Sequence, residues 1–246
     1  MKHIPSLSYG IVCRNSLKEL KQTLRINLAN NSSDSGFVDF ILFDFGSADG
    51  TKDWVKSHFE DELNAGYLHY YFTGEMSEWN LPRAKNCLYY WSRKDIVVNL
   101  MADYFTGENE GRSFIHLFMD SSMNLFCNCK TKTLTENYYS KLAVLREDFD
   151  RLGGYDEELI SDMHITDFIA RLEFLGLETL LIEDLSFSQL SVSSMEFDTC
   201  YDDLFSLERQ RAISDRNTGN GRLIANNRKY GIRSDVYDIN GKLLIR

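Results

Sequence analysis

The stretch FVDFILFDFGSADGT, residues 37–51, decides how the chain reads. Its first eight residues are mostly apolar and rich in Phe, Val, Ile and Leu, and read as a strand. The run ends on Asp44. Gly46, Ser47, Asp49 and Gly50 follow, a turn composition that leads into a helix at Thr51. A strand ending in an acid before a Gly/Ser turn places a carboxylate where open α/β sheets bind ligands, beyond the C-terminal ends of their strands.

The same alternation extends to both sides. SLSYGIVC (6–13) reads as a strand, and Leu17, Leu20, Leu24 and Leu28 recur at helical spacing after the cap-like Asn15 and Ser16. Val55, Phe59 and Leu63 mark a second helix, and YLHYYF (67–72) is a third strand. Ala84, Cys87, Leu88 and Trp91 share one face of a third helix, and DIVVNLM (95–101) is a fourth strand. This β-α-β-α-β-α-β order predicts a doubly wound, mostly parallel central sheet flanked by helices. Asp44 and Asp103 then both lie at the ligand edge.

The second half is less regular. SFIHLFMDSSMNLFCNCK (113–130) reads as helix then strand, and Ile165, Phe168, Ile169, Leu172 and Leu175 form an apolar helical stripe. ETLLIE (178–183) is a short strand, LERQRAISDRN (207–217) a helix and GKLLIR (241–246) a last strand. There is no internal repeat.

The totals exclude several classes. With 43% hydrophobic and 13% aromatic residues, the 246-residue chain can bury a large core. A formal charge of −10 argues against nonspecific nucleic-acid binding, which needs a basic footprint. No apolar run approaches the ~20 residues that cross a bilayer, and MKHIPSLSYG lacks the apolar core of a signal peptide. Five cysteines, an odd number, suggest reduced thiols and a cytoplasmic setting. Cys127 and Cys129 could be half a metal site, but no second Cys/His pair stands at zinc-like spacing. No G-x-G-x-x-G follows the first strand, which weakens a dehydrogenase reading.

Several segments in order resemble family-2 glycosyltransferases with the GT-A fold. ILFDFGSADGT (41–51) looks like the family's second-strand motif, and Ala84-Lys85-Asn86 followed by DIVVNLMADYFTG (95–107) is similar to its approach to a D-x-D strand. REDFDRLGGYDEEL (146–159) resembles the stretch leading to the acceptor side. TDFIARLEFLGLE (166–178) resembles the helix that normally opens with an acidic pair, and CRNSLKELKQTL (13–24) fits one subgroup. The resemblance covers roughly residues 6–185. It implies a GT-A-like domain over residues 1–190, with a nucleotide-sugar half (1–110) and an acceptor half (111–190). Residues 191–246 would be a C-terminal segment packed on the same domain.

The resemblance also assigns roles, each beside a plainer alternative. Asp44 would accept a hydrogen bond from the donor's base, or it caps the turn; the family's next acid is here Phe45. Asp49 reads as a helix cap. Asp103 aligns with the second acid of D-x-D and would hold Mg²⁺ or Mn²⁺, or it is a turn residue. Met101 stands at the first acid's position, and a thioether is a poor ligand for a hard cation. Lys85 would bind the donor or lie on a solvated face, Arg83 reads as a surface charge, and Arg171 pairs with Asp167 or walls the site.

Counting back from Arg171, the family's acidic pair falls on His164 and Ile165, so the usual base is missing. Asp162 or His164 could take its place as general base. No His follows His164, and EDLSFSQLSVSS (183–194) offers none for a metal. Two readings result. One is an inverting transferase that moves sugar from a nucleotide diphosphate sugar to a carbohydrate or other hydroxyl acceptor. The other is a catalytically degenerate binding or scaffold domain acting with a protein partner. The tail NTGNGRLIANNRKYG (217–231) is expected to fold back over the site.

Overall fold

The computed structural model describes residues 3–74, 79–120, 125–132, 137–159, 163–183, 204–219, 223–231 and 235–244. Its first half is the alternation read above: β1 (Leu7–Cys13), α1 (Leu17–Asn30), β2 (Val38–Asp44), α2 (Thr51–His58), α3 (Glu60–Asn64), β3 (Leu68–Phe72), α4 (Leu81–Trp91) and β4 (Ile96–Met101). There follow α5 (Glu110–Asp120), β5 (Leu125–Lys132), β6 (Asn137–Leu145), α6 (Arg146–Leu152), α7 (Met163–Phe174), β7 (Glu178–Glu183), α8 (Leu204–Gly219), β8 (Val236–Asp238) and β9 (Leu243–Leu244).

The described strands form one sheet in the order β7-β5-β6-β4-β1-β2-β3-β8-β9. β4, β1, β2 and β3 are parallel neighbours, with Val12 opposite Met101 and Cys13 opposite Asp44. The chain winds from β1 through β2 to β3 on one side, then returns to place β4 on the other. The crevice at the ends of β1 and β4 is therefore the topological switch point of the sheet, the place where such sheets bind ligands. β6 joins β4 in the antiparallel sense and carries β5 and β7 beyond it.

Both faces of the central strands are covered. In β2, Phe40 and Leu42 belong to one core with Leu20, Leu24, Val55 and Phe114, whereas Ile41 and Phe43 belong to another with Leu88, Phe149 and Phe168. Burial on two sides explains the nearly unbroken apolar runs. Helix α4 approaches β1 so closely that a Cβ at Gly10 would lie 2.6 Å from Leu88 Cδ1.

Three features differ from the sequence reading. The second helix is two helices, broken at Phe59 (φ −134°, ψ 33°). The break gives Glu60, Asp61 and Glu62 a fresh helix N-terminus, where acids are favoured. β6 was not legible as a strand, because buried Lys141 interrupts its apolar face. Beyond the final strand read from GKLLIR, β8 intervenes and pairs antiparallel with β3, Phe72 opposite Tyr237.

Helix α6 ends in a Schellman turn: Gly153 N–H donates to the Asp150 carbonyl and Gly154 N–H to that of Phe149. Gly153 has φ +70°, and a Cβ there would lie 2.3 Å from the Ala225 carbonyl oxygen, a backbone atom. Gly153→Ala should thus lower stability by about 1–3 kcal/mol. Gly36→Ala, where nothing lies within 4 Å of the added atom, should be nearly neutral. Paired thermal melts check this; equal melting temperatures for the two variants would contradict it.

Candidate functional site at the switch point

The site begins with the acid that ends β2. Asp44 is 3% exposed. One carboxylate oxygen accepts from Ser47 N–H at 2.8 Å and the other accepts the Tyr70 hydroxyl. Burial, then the charge of Asp44, pushes the Tyr70 hydroxyl far above the usual tyrosine range. Asp44 therefore caps its turn, as the plainer alternative held. A carboxylate has four lone-pair positions, so this geometry leaves acceptor capacity for a ligand N–H. Phe45 is buried, stacked on Phe43 at 4.8 Å and met edge-on by Trp79. Its role is packing.

Asp49 ties two helix starts together. It accepts from Thr51 N–H at 3.1 Å and Thr51 Oγ1 at 2.6 Å, and its other oxygen accepts from Leu17 N–H at 2.9 Å. Asn15 Oδ1 accepts from Ala48 N–H at 2.8 Å. The loops after β1 and β2 are thus laced into one edge.

The loop after β4 is held by a polar ladder on α1 that the sequence reading missed. Thr23 Oγ1 donates to the Ala102 carbonyl at 2.6 Å, and Asn27 Nδ2 to the Tyr104 carbonyl at 3.0 Å. Asn27 Oδ1 accepts from Thr106 N–H at 2.7 Å, and Asn30 Nδ2 donates to the Thr106 carbonyl at 2.6 Å. Asp103, 3% exposed, lies between two residues whose carbonyls are so fixed. The available signal was the buried polar pair Thr23 and Asn27 inside the leucine stripe of α1.

A cavity of about 20 Å³ opens beside the end of β4, lined by Lys85, Asn99, Met101, Lys141, Leu142, Tyr155 and Ile165. It has room for one water-sized group. Met101 and Ile165, the two positions where the resemblance places acids, line the same cavity with a thioether and a hydrocarbon. Lys85 and His164 also come together: Lys85 Nζ is 3.2 Å from His164 Nε2, and both residues are buried. A lysine ammonium only donates, so Nε2 is the nitrogen placed to accept from it. His164 stands edge-on to Tyr155 at 5.3 Å and is not part of the cavity lining.

The opposite wall carries a second lysine. Lys141 Nζ donates to both oxygens of Glu110, at 3.0 and 2.8 Å. Glu110 also accepts from the Tyr9 hydroxyl at 2.9 Å and from Gly107 N–H at 2.8 Å. This buried pair joins β6 to the start of α5.

The remaining candidates separate. Arg171 is fully buried, donating to Asp167 at 2.8 Å and to the carbonyls of Leu152, Gly154 and Leu223. It is a structural hub and not a site wall. Arg83 pairs with Glu157 at 2.8 Å on the surface. Asp162 and residues 184–194 lie outside the described residues, while Cys127 and Cys129 fall on β5. The tail folds back: Asn226 Nδ2 donates to the carbonyls of Gly153 and Tyr155, and Ala225 N–H to that of Leu152. Its described residues brace the loop behind Tyr155.

Among the described residues no three His, Cys, Asp or Glu side chains gather as a metal site. At the end of β4, Met101 offers a thioether where the resemblance places the first acid, a poor ligand for a hard cation, and Asp103 is the acid that remains there. No step is derived through a metal.

Solved structures now supply a comparison. The chain is similar to the mannosyltransferase PcManGT from Pyrobaculum calidifontis in complex with GDP-Man and Mn²⁺, with TM-score 0.61 and 16% identity, covering 74% of this chain and 56% of that one. It is similar to S. aureus TarS 1-349 in complex with UDP-GlcNAc, with TM-score 0.66 and 15% identity over 86% of this chain and 67% of that one. GalNAc-T7 with UDP, GalNAc and Mn²⁺ gives TM-score 0.66 and 13% identity over 87% and 48%. No family model and no curated protein sequence matches the chain. The likeness shows the fold: this chain has the GT-A fold of glycosyltransferases, the α/β class its motifs implied. No helix among the described residues is long and apolar enough to cross a membrane.

Two outcomes follow from this geometry. Asn27→Ala strands the Thr106 N–H and the Tyr104 carbonyl and should cost about 2 kcal/mol or more; a denaturant melt that matches the unmodified protein would show the ladder to be dispensable. Met101→Asp places a carboxylate at the cavity beside Asp103. A gain of even ~1.4 kcal/mol would strengthen manganese-dependent UDP binding about tenfold. A large fall in melting temperature without that gain would instead mark Met101 as packing, through the desolvation cost of a buried acid.

Proposed function

We propose that this chain is the sugar-transferring domain of an atypical family-2 glycosyltransferase. It binds a nucleotide diphosphate sugar across the ends of β1, β2 and β4 and transfers the sugar to an acceptor hydroxyl with inversion. The observation that carries this reading is the cavity at the switch point, because its walls come from both the end of β4 and the start of α7. Residues 1–110 supply the donor side and residues 111–190 the acceptor side, with residues 191–246 packed against them.

In this reading Asp44 accepts from the base and Lys85 meets the donor at the cavity wall. Asp103 lies beside the diphosphate and is the described carboxylate nearest in sequence to the vacated acid position. The acceptor oxygen attacks the anomeric carbon as the bond to the diphosphate oxygen breaks, and the acceptor proton passes to a base. His164 Nε2, after release from Lys85, or Asp162 is the candidate for that proton. The proteins of similar fold bound to UDP-GlcNAc and GDP-Man support the donor class.

A second reading is favoured by one observation: Met101 and Ile165 line the cavity where acids would work. It is a binding domain of the same fold, without turnover, acting with a partner. Calorimetry with UDP on the unmodified protein and on Asp44→Ala, followed by assay of nucleotide release from UDP-sugars with and without Asp103→Asn, separates the two. UDP binding weakened by Asp44→Ala, with release slowed by Asp103→Asn, is the expected result. Binding without release selects the binding domain, and no heat at millimolar UDP would overturn both.

A further inference from the structure

Asn99 is the one polar residue on β4's run to Met101, and its position is unusual in chemistry as well as in sequence. It is 7% exposed and lines the cavity. Its Nδ2 donates to the Tyr155 hydroxyl at 2.7 Å and to the Tyr89 hydroxyl at 3.2 Å. Its Oδ1 is buried and has no hydrogen-bond partner. A buried amide oxygen without a donor costs stability comparable to a lost hydrogen bond, so whatever fills the cavity, a water or a ligand group, is called on to supply the donor. The two tyrosines are themselves rigid: Tyr89 stacks on Phe149, and Tyr155 is held through its backbone by Asn86.

The same cavity presents Lys85, whose ammonium can only donate, and the apolar groups of Met101, Leu142 and Ile165. A group that satisfies both Asn99 Oδ1 and an ammonium must donate one hydrogen bond and accept another. A hydroxyl does this. An ionised phosphate oxygen accepts but has no proton to give Oδ1. The volume of about 20 Å³ suits a single hydroxyl oxygen and not a phosphoryl group.

We infer that Asn99, with Lys85, reads one hydroxyl of the donor's sugar ring, making this residue a determinant of sugar specificity. The inference rests on the nucleotide-sugar reading and adds to it the residue that discriminates among sugars. A site built to hydrogen-bond a hydroxyl rejects a ligand that lacks it far more strongly than an apolar pocket rejects a missing methylene.

Calorimetric affinities for UDP-GlcNAc, UDP-glucose and GDP-mannose, each beside its own nucleotide, test this. The expected result is at least one nucleotide sugar that binds about tenfold or more tightly than its nucleotide. One monodeoxy analogue of that sugar should lose the advantage. Asn99→Leu should reduce the ratio of nucleotide-sugar to nucleotide affinity to about unity. Should that variant fail to fold, the deoxy series on the unmodified protein gives the same reading. Nucleotides that bind with no preference for any sugar, deoxy analogues that all bind alike, or a sugar preference that survives in folded Asn99→Leu would overturn the inference and leave the proposed function standing. Absence of nucleotide binding altogether would overturn both.

Discussion

One buried amide holds the two halves of the molecule in register. Asn86, on the α4 face that packs against the sheet, accepts Tyr155 N–H on Oδ1 at 2.9 Å. Its Nδ2 donates to the Tyr155 carbonyl at 3.0 Å and to Glu157 at 2.9 Å. The side chain thus behaves like a strand partner for a loop far away in sequence. The fit leaves no room for error, since a Cβ on Gly154 would lie 2.6 Å from Asn86 Oδ1. Tyr155 carries the cavity wall, Lys85 precedes Asn86 on the same helix, and the tail docks on the carbonyls of Leu152, Gly153 and Tyr155, the last shared with Asn86. Each of these depends on the amide's three bonds, because a buried backbone group without a partner would cost what the packing gains.

Around that joint the interior is more charged than a core of this size needs for stability. Arg171 with Asp167 and Lys141 with Glu110 are buried ion pairs whose desolvation cost offsets much of their attraction. Their value is geometric. Arg171 closes the carbonyls of Leu152, Gly154 and Leu223, while Asp167 also accepts from Asn217 of α8 at 3.1 Å. Lys141 fixes β6 against α5. In both cases one planar or compact cation satisfies backbone or carboxylate oxygens that would otherwise be stranded, and so defines the position of an element at the site.

The edge of the sheet combines rigidity with altered chemistry. The turn after β2 and the loop after β4 are each fixed by several hydrogen bonds, which suits a surface that must be preorganised for a ligand. Yet the crevice at the switch point meets its occupant with lysines, an amide oxygen, a thioether and a hydrocarbon. This exchanges hard anionic ligands for donors and apolar contacts. Its polar groups can both donate to and accept from a bound group.

The sequence by itself determined the alternation of strands and helices in the first half, the strand-end position of Asp44 and the capping work of Asp49. These are set by local periodicity and turn chemistry, which neighbouring residues carry. It also identified Met101 and Ile165 as departures, because a motif shows which residue types it lacks. Tertiary structure alone decided that the two departures share one cavity, that Lys85 rests on His164 and that Asn99 keeps an amide oxygen without a partner. It likewise added three backbone carbonyls to the Arg171–Asp167 pair, making Arg171 a buried hub, and recruited β8 to the sheet. Such contacts join segments far apart in the chain, and their energies depend on burial and mutual geometry, neither of which leaves a repeating signature in the order of residues.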